Sequence, residues 1–383
     1  MRIIHTSDWH IGKLLSDYSL LEDQRACLFA FADRLCELKA DALIIAGDLY
    51  DRSVPSAEAV ALLDQLFSYL LNTCKIEVFA IAGNHDSRER IDFGSRLMDK
   101  AGLHLCGSVS CPVQKFRFTK DHEAVDIHLL PYFEPHHIRA LWPEASVKTM
   151  QDAFDTVLAQ MRDSLDPDVA QILVAHGFFS TGSSVEEEIG GSEHITLVNP
   201  PFDYVALGHL HGCHPTGKDT IRYSGSPLKY SIDEAAQKKQ FLILDFENNK
   251  LQNITAEPFT CIRDVRIVQG ELDELCDRTK QFDLDDYIFA ELTDKTIRVG
   301  AIQRLKAVFP NTLGLRYTAL QRESFCHTAA DSNHTDRSPE ALFAEFFRIA
   351  AERDLNETET SAVHEAMQLA KGGAAHDTDS TDI

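Results

Sequence analysis

No apolar stretch in the 383 residues approaches the ~20 that a membrane-spanning helix needs. The chain opens on strand-like residues instead of a charged and apolar leader, so a cytoplasmic protein is expected. Cysteine occurs nine times, an odd number, and nowhere in C-x-x-C spacing. That argues for reduced thiols and against both a disulfide framework and a zinc ribbon. No internal repeat is visible. Positive charge is scarce: 37 Lys and Arg face 60 Asp and Glu, for a net charge of −23, where a surface that grips phosphates is normally basic. Two features keep nucleic acid open as a substrate. Part of the excess sits near the end of the chain, in Glu352, Asp354, Glu357, Glu359, Glu365, Asp377, Asp379 and Asp382. Bound divalent ions would also reverse the local field at an acidic site.

What is present is organised around Ala42-Leu43-Ile44-Ile45-Ala46-Gly47-Asp48. A continuous apolar run of this length, stopped by Gly and Asp, reads as a strand buried on both faces of a parallel sheet. Its carboxylate then lies at a strand's carboxyl end, the edge where open α/β sheets bind ligands. The device recurs in Arg2 to His10, which runs into Asp8 and His10, and in Glu77 to Asp86, which ends in Asn84, His85 and Asp86. It recurs again in Gln171 to His176 and in Tyr204 to His211, which delivers His209 and His211. Asp8 and His10, two apart on a segment read as extended, are expected to face the same way.

In order, the first strand leads through a loop at Leu14 to Tyr18 into a helix over Leu21 to Leu38, where Leu21, Leu28, Phe31, Leu35 and Leu38 recur at helical spacing. With the strand ending at Asp48 this makes a right-handed βαβ unit. Ser56 is suited to cap a second helix through Ala59, Leu62, Leu66 and Leu70. A short basic helix begins at Arg88 to Arg90, alternating strands fill Val113 to Tyr132, and a helix spans about Val147 to Ser164. Thr181 to Ser192 reads as a long surface loop. Strands near 204–207, 220–224, 240–246 and 251–258 complete a two-sheet α/β core over residues 1–260. A βαβαβ pattern then runs from Asp264 to Tyr317, with helices near Leu272 to Phe282 and Arg298 to Phe309, and forms a small second domain at 261–325. Residues 326–383 make a polar linker (Thr328 to Ser338), an amphipathic helix opening at Pro339 to Ala350, a second helix at Ser361 to Ala370, and a disordered end.

Gathered together, the strand-end groups are Asp8, His10, Asp48, Asn84, His176, His209 and His211. Carboxylate, amide oxygen and imidazole without thiolate suit manganese, iron(II) or zinc, and seven ligands are too many for one ion. Two ions sharing a carboxylate use them economically, and Asp48 is the natural bridge. Asp8-x-His10, Gly47-Asp48-x-x-Asp51, Gly83-Asn84-His85-Asp86, His176 and Gly208-His209-x-His211, in this order, resemble the calcineurin-like metallophosphoesterases. With His5-Thr6-Ser7-Asp8-Trp9-His10-Ile11-Gly12, the βαβαβ segment and the helical tail, the chain is more narrowly similar to the SbcD family of nuclease subunits.

That resemblance implies a two-sheet metallophosphoesterase core flanked by helices, a small capping domain that contacts DNA, and a tail that binds an SbcC-like ATPase. It implies two Mn(2+), with Mg(2+) or another divalent ion as substitutes. Asp8, His10, Asp48 and His211 would hold one ion and Asp48, Asn84, His176 and His209 the other. His85 would act on the scissile phosphate with Asp86 orienting it. The implied activity is that of a double-strand 3'-5' exonuclease and a single-strand or hairpin endonuclease in DNA end processing, repair and recombination. The implied assembly is a heterodimer with the ATPase in 2+2 stoichiometry, built on a homodimer through helices of the first domain. A metallophosphoesterase acting on a small phosphodiester, or an inactive binding scaffold of the same fold, are the alternatives.

Other groups admit plainer readings. Asp51 either supports the ligands or begins the turn before Pro55. Ser224 to Pro227 reads as a turn, which the resemblance places near the histidine loop. Lys13, Arg52 and Arg88, with Arg90, Lys229, Lys238 and Lys239, either line a substrate rim or are solvated faces. His5, His104, His122, His128, His136, His137, His194 and His214 read as structural. Leu342, Phe343, Phe346 and Phe347 form a stripe that packs on its own domain or docks on a partner helix.

Overall fold

The structure, a computed structural model, describes residues 1–181, 194–277 and 283–318, and beyond them 343–344, 347–348, 353–356 and 358–364. The expected loop at 181–192, apart from Thr181, and the linker at 328–338 lie outside these residues, as do most of the two tail helices and the end of the chain. Contacts divide the chain into two compact units, Met1–Arg316 and Tyr317–Ile383.

Two six-stranded sheets carry the first unit. In the first sheet the order is Lys250–Pro258, Gln240–Glu247, Arg2–Thr6, Ala42–Ile45, Glu77–Ile81 and Leu103–Cys106. The last four of these are parallel. The second sheet runs His214–Thr216, Lys218–Tyr223, Tyr204–Gly208, Ala170–His176, Glu123–Leu130 and Gln114–Lys120. Its four inner strands are parallel and both edges antiparallel. Alternation along each strand sorts the core into layers. Ile3, Ala42, Ile44, Phe79 and Ile81 meet Ile127, Ile172, Val174 and Ala206 between the sheets. Ile4, Leu43, Ile45 and Val78 turn the other way onto the helices Leu21–Leu38 and Ala57–Tyr69. Leu173, Ala175, Val205 and Leu207 do the same for helix Met150–Arg162. Both faces of the parallel strands are covered, and the strands that carry the sequence-predicted ligands deliver them at their carboxyl ends.

The periodicity in Leu21 to Leu38 matches the helix residue for residue, and Ser56 caps the next helix by accepting from the Ala59 N–H at 3.2 Å. Two expectations need correction. Leu14 to Tyr18 is not simply a loop: Leu14–Leu15 pairs with Tyr18–Ser19 as a minimal hairpin. Cysteine is not wholly reduced, since Cys36 and Cys74 form a disulfide across Cα atoms 5.2 Å apart. Cys36 lies in the last turn of the first long helix. Cys74 ends the π-type turn Leu70–Cys74 that follows the second. A pairing 38 residues apart depends on how two helices pack, which spacing motifs do not report.

Strands Val265–Gly270, Tyr287–Leu292 and Thr312–Tyr317 form a third sheet, the first two parallel, with helices Leu272–Leu275 and Ala301–Val308 beside them. It sits against the core through Val265 and Tyr287, through Arg263 Nη1 on Asp23 Oδ2 at 2.8 Å and through Tyr287 O–H on the same oxygen at 2.9 Å. In the second unit, residues 358–364 are helical; Asn356 Oδ1 accepts from the Glu359 N–H, and Arg353 pairs with Glu359. Phe343 is partly exposed. Among the described residues no helix is long and apolar enough to cross a membrane.

Ile44 is fully buried between the sheets. Ile44→Ala should destabilise the fold by about 3 kcal/mol through lost burial and the cavity left behind, read as a lower midpoint in denaturant unfolding with an unchanged slope.

Candidate metal centre

The carboxyl ends of five parallel strands meet at one point between the sheets, and the chain turns sharply there. Asp8, His10 and Asp48 have positive φ, at 53°, 43° and 53°. Asp8 and His10 are therefore not on an extended segment. Left-handed turns aim them, pinned by the Asp8 N–H on the Gly47 carbonyl and the His10 N–H on the Asp48 carbonyl. The crossing is close enough to exclude side chains. A Cβ on Gly83 would stand 2.1 Å from Asp48 Oδ1, and one on Gly47, itself at φ 91°, would stand 2.3 Å from His176 Nδ1.

All seven sequence-predicted ligands come together. His10 Nε2 lies 3.1 Å from His211 Nε2 and 3.4 Å from Asp48 Oδ2. His176 Nε2 lies 3.5 Å from the same Asp48 oxygen and 2.9 Å from Asn84 Oδ1, which is 3.1 Å from His209 Nδ1. Asp8 joins one donor group with His10 and His211 and another with Asp48 and His176. Its carboxylate accepts from Ser7 O–H at 2.5 Å and from the His209 N–H.

The donors fit divalent cations. His176 donates its Nδ1–H to the Ala46 carbonyl at 2.8 Å and His211 its Nδ1–H to Glu234 Oε1 at 2.9 Å, so both turn Nε2 to the cluster. The buried His10 Nδ1 has no hydrogen-bond partner. Burial pushes His10 down to about 3 and His209 down to about 4, which leaves both imidazoles neutral at pH 7. Burial raises Asp8 against the pull of His176 and His211. Burial also works to raise Asp48, but His176, His10 and the His85 N–H hold it well below the usual carboxylate range. On His176 burial opposes charge, yet Asp48 and Asp8 outweigh it and lift the imidazole to about 9. The cluster draws a proton in where a cation would serve the same electrostatic purpose.

Around the ligands the structure revises several roles. Asp86 does not orient His85. Its carboxylate accepts from the Leu49, Tyr50 and Gly83 N–H groups at 2.9 to 3.0 Å, clamping the Asp48 loop to the Asn84 loop. Burial, and then Asp48, push it up to about 6 despite those bonds. His85 is held by the Asp51 backbone, donating Nδ1–H to that carbonyl at 2.9 Å, with its ring 4.8 Å from His10. The Asp51 side chain sits 3.9 Å from His10 Nδ1 and pairs with Lys13 at 2.7 Å and Arg52 at 3.5 Å. Lys13 and Arg52 thus stand beside the centre, while Arg88 opens the helix Arg88–Asp92 that follows the His85 loop. Lys239 is not on a rim: it is buried on Glu234 and the His211 carbonyl, and Lys229 pairs with Asp264. The turn at Ser224 to Pro227 does abut the histidine loop, through the Ser226 N–H on the His211 carbonyl.

Glu234 is the residue that sequence reasoning missed. It holds His211 with one oxygen and Lys239 and the Tyr230 N–H with the other. Nothing in its local sequence distinguishes it from a solvated acid.

Comparisons with known proteins identify the family. Residues 1–213 match the calcineurin-like phosphoesterase family, and residues 261–350 match the family described as the type 5 capsule protein repressor C-terminal domain. The SbcD subunit of the nuclease SbcCD from Staphylococcus epidermidis is 31% identical over 379 residues, 96% of this chain and 98% of that one. The solved calcineurin-like phosphoesterase YfkN of Bacillus subtilis is 12% identical with a TM-score of 0.35, covering 67% of this chain and 90% of its own. That likeness is too distant to bear on the site. The phosphoesterase family and the converging Asp and His groups together mark a site for divalent metal.

Glu234→Gln keeps the shape but weakens the grip on His211. It should lower affinity for manganese ~10- to 100-fold, measured by isothermal titration, while circular dichroism stays unchanged.

Proposed function

Since the chain belongs to the calcineurin-like phosphoesterases, and within them to the SbcD family of nuclease subunits, we propose that it hydrolyses the phosphodiester backbone of DNA at two manganese ions. The observation that carries this reading is the convergence of seven oxygen and nitrogen donors around Asp48, too many for one ion. Asp8, His10, Asp48 and His211 would hold one ion; Asp48, Asn84, His176 and His209 would hold the other. Held by these residues, divalent ions would supply an activated water and offset the charge of the phosphodiester.

The chain's own groups then supply position and protons. Ser7, Glu234 and the Ala46 carbonyl fix the first ligands' orientation before substrate arrives. His85 is outside the ligand set, beside His10 and free at Nε2 because Nδ1–H is spent on Asp51. In its protonated form it presents Nε2–H, the proton that the leaving sugar oxygen requires. Lys13 and Arg52, paired to Asp51 beside the centre, and Arg88 at the start of the next helix would be the cations to contact a phosphate backbone.

The relationship to SbcD supports an SbcC-like ATPase as partner, a cytoplasmic setting, and a homodimer within a 2+2 assembly. It likewise supports residues 1–260 as the nuclease domain, 261–325 as a DNA-contacting cap and 326–383 as the ATPase-binding tail. The complete donor set weighs against a retired scaffold, which would be expected to have lost at least one ligand.

With manganese, linear and hairpin DNA should be cut and a chelator should abolish cutting; turnover of a cyclic nucleotide or chromogenic monoester alone would instead assign a small substrate. His85→Ala should still bind manganese by titration but lose ~10²- to 10⁴-fold in turnover. An unchanged rate would remove His85 from the reaction.

A further inference from the structure

Cys27 and Cys261 take no part in the metal centre, and 234 residues separate them, yet their sulfurs stand 3.5 Å apart. Cys27 is fully buried on the helix Leu21–Leu38. Cys261 is exposed, in the connection from strand Lys250–Pro258 to strand Val265–Gly270. Both thiols lie near one acceptor, the Pro227 carbonyl, at 4.0 and 3.7 Å. Cys261 also lines a cavity of about 690 Å³ whose walls carry Lys229, Lys238 and Arg263. Arg263 and Lys229 are paired to Asp23 and Asp264, and Lys238 forms no ion pair among the described residues.

We propose that Cys27 and Cys261 are a reversible dithiol–disulfide pair, oxidised by exchange with a low-molecular-weight disulfide that enters this cavity. The two sulfurs differ in the way such a pair requires. Cys261 is reachable, and its thiol is drawn below the usual value by the hydrogen bond from Cys27, which outweighs burial and the nearby Asp264 and Asp23 carboxylates. Cys27 is out of reach of any reagent, and its thiol is raised by that same contact and by burial. Cys261 is therefore the attacking thiolate and Cys27 the resolving one.

The exchange balances in two steps. The Cys261 thiolate attacks one sulfur of RS–SR, an S–S bond to Cys261 forms, and RS⁻ leaves to be protonated. Cys27 then gives up its proton and attacks the Cys261 sulfur; the Cys27–Cys261 bond forms and the second RS⁻ leaves. The protein thiols lose two electrons and RS–SR is reduced to two RSH. The sulfurs must close by about 1.5 Å to reach bonding distance of ~2.05 Å. The product staples the connection to the first long helix, beside the contacts of Arg263 and Tyr287 with Asp23 that seat the third sheet. It also removes both S–H groups from Pro227, next to Ser226, whose N–H holds the His211 loop.

The test uses the full chain and oxidised glutathione. Non-reducing peptide mapping should show Cys27 linked to Cys261, a loss of two hydrogens, and reversal by dithiothreitol. Cys27→Ser should stop at a glutathione adduct on Cys261, and Cys261→Ser should leave Cys27 unmodified. In the reduced protein Cys261 should alkylate at least ~10-fold faster than the exposed Cys111. A glutathione adduct that persists on Cys261 with Cys27 intact overturns the pairing. So does a Cys261 that reacts no faster than Cys111.

Discussion

Asp48 is 2% exposed, and a lone carboxylate at that depth would take up a proton in preference to staying charged. It remains ionised because His176, His10 and the His85 N–H surround it, and because no side chain stands between it and the Asn84 loop. Each condition constrains a different part of the chain. Gly47 and Gly83 must lack a Cβ, the strand ending at Ile45 must be covered on both faces, His10 and the His85 N–H must follow strands of the first sheet, and His176 must arrive from the second. The metal centre is thus a property of the sheet pair as a whole. Neither sheet alone brings more than part of the donor set to this point.

The surrounding groups divide into those that aim a ligand and those that hold a loop. Glu234 and the Ala46 carbonyl each take a histidine Nδ1–H and so decide which nitrogen faces the centre. Asp86 accepts from three backbone N–H groups, which hold together the two loops that carry Asp48 and Asn84. Lys239 compensates the buried charge of Glu234 and at the same time holds the His211 carbonyl. Buried charge is costly unless paired and hydrogen-bonded, and both Glu234 oxygens are, one to His211 and the other to Lys239 and the Tyr230 N–H.

The same stretch connects the centre to the third sheet. From Ser226 to Lys239 the chain touches His211 on one side and, through Lys229 and Asp264, the start of strand Val265–Gly270 on the other. The two thiols lie against this stretch, near the Pro227 carbonyl. The chain has a net charge of −23, yet several of its cations near the centre are paired with carboxylates and the centre itself is built from buried acids and imidazoles, so global charge is a poor guide to what binds there.

Much of this was legible in the residues. The apolar run ahead of Asp48 dictates a doubly covered strand, the period of Leu21 to Leu38 dictates its helix, and the order of Asp8, His10, Asp48, Asn84, His176, His209 and His211 points to a shared site, because each follows an apolar run at the same end of its strand. Four things were decided by tertiary structure alone: the left-handed turns that aim Asp8 and His10, the Asp51 carbonyl that holds His85 in place of Asp86, the use of Glu234, and the Cys36–Cys74 bond. Local periodicity reports which face of an element is buried. It carries no record of which backbone carbonyl, or which residue dozens to hundreds of positions away, will fill the remaining space.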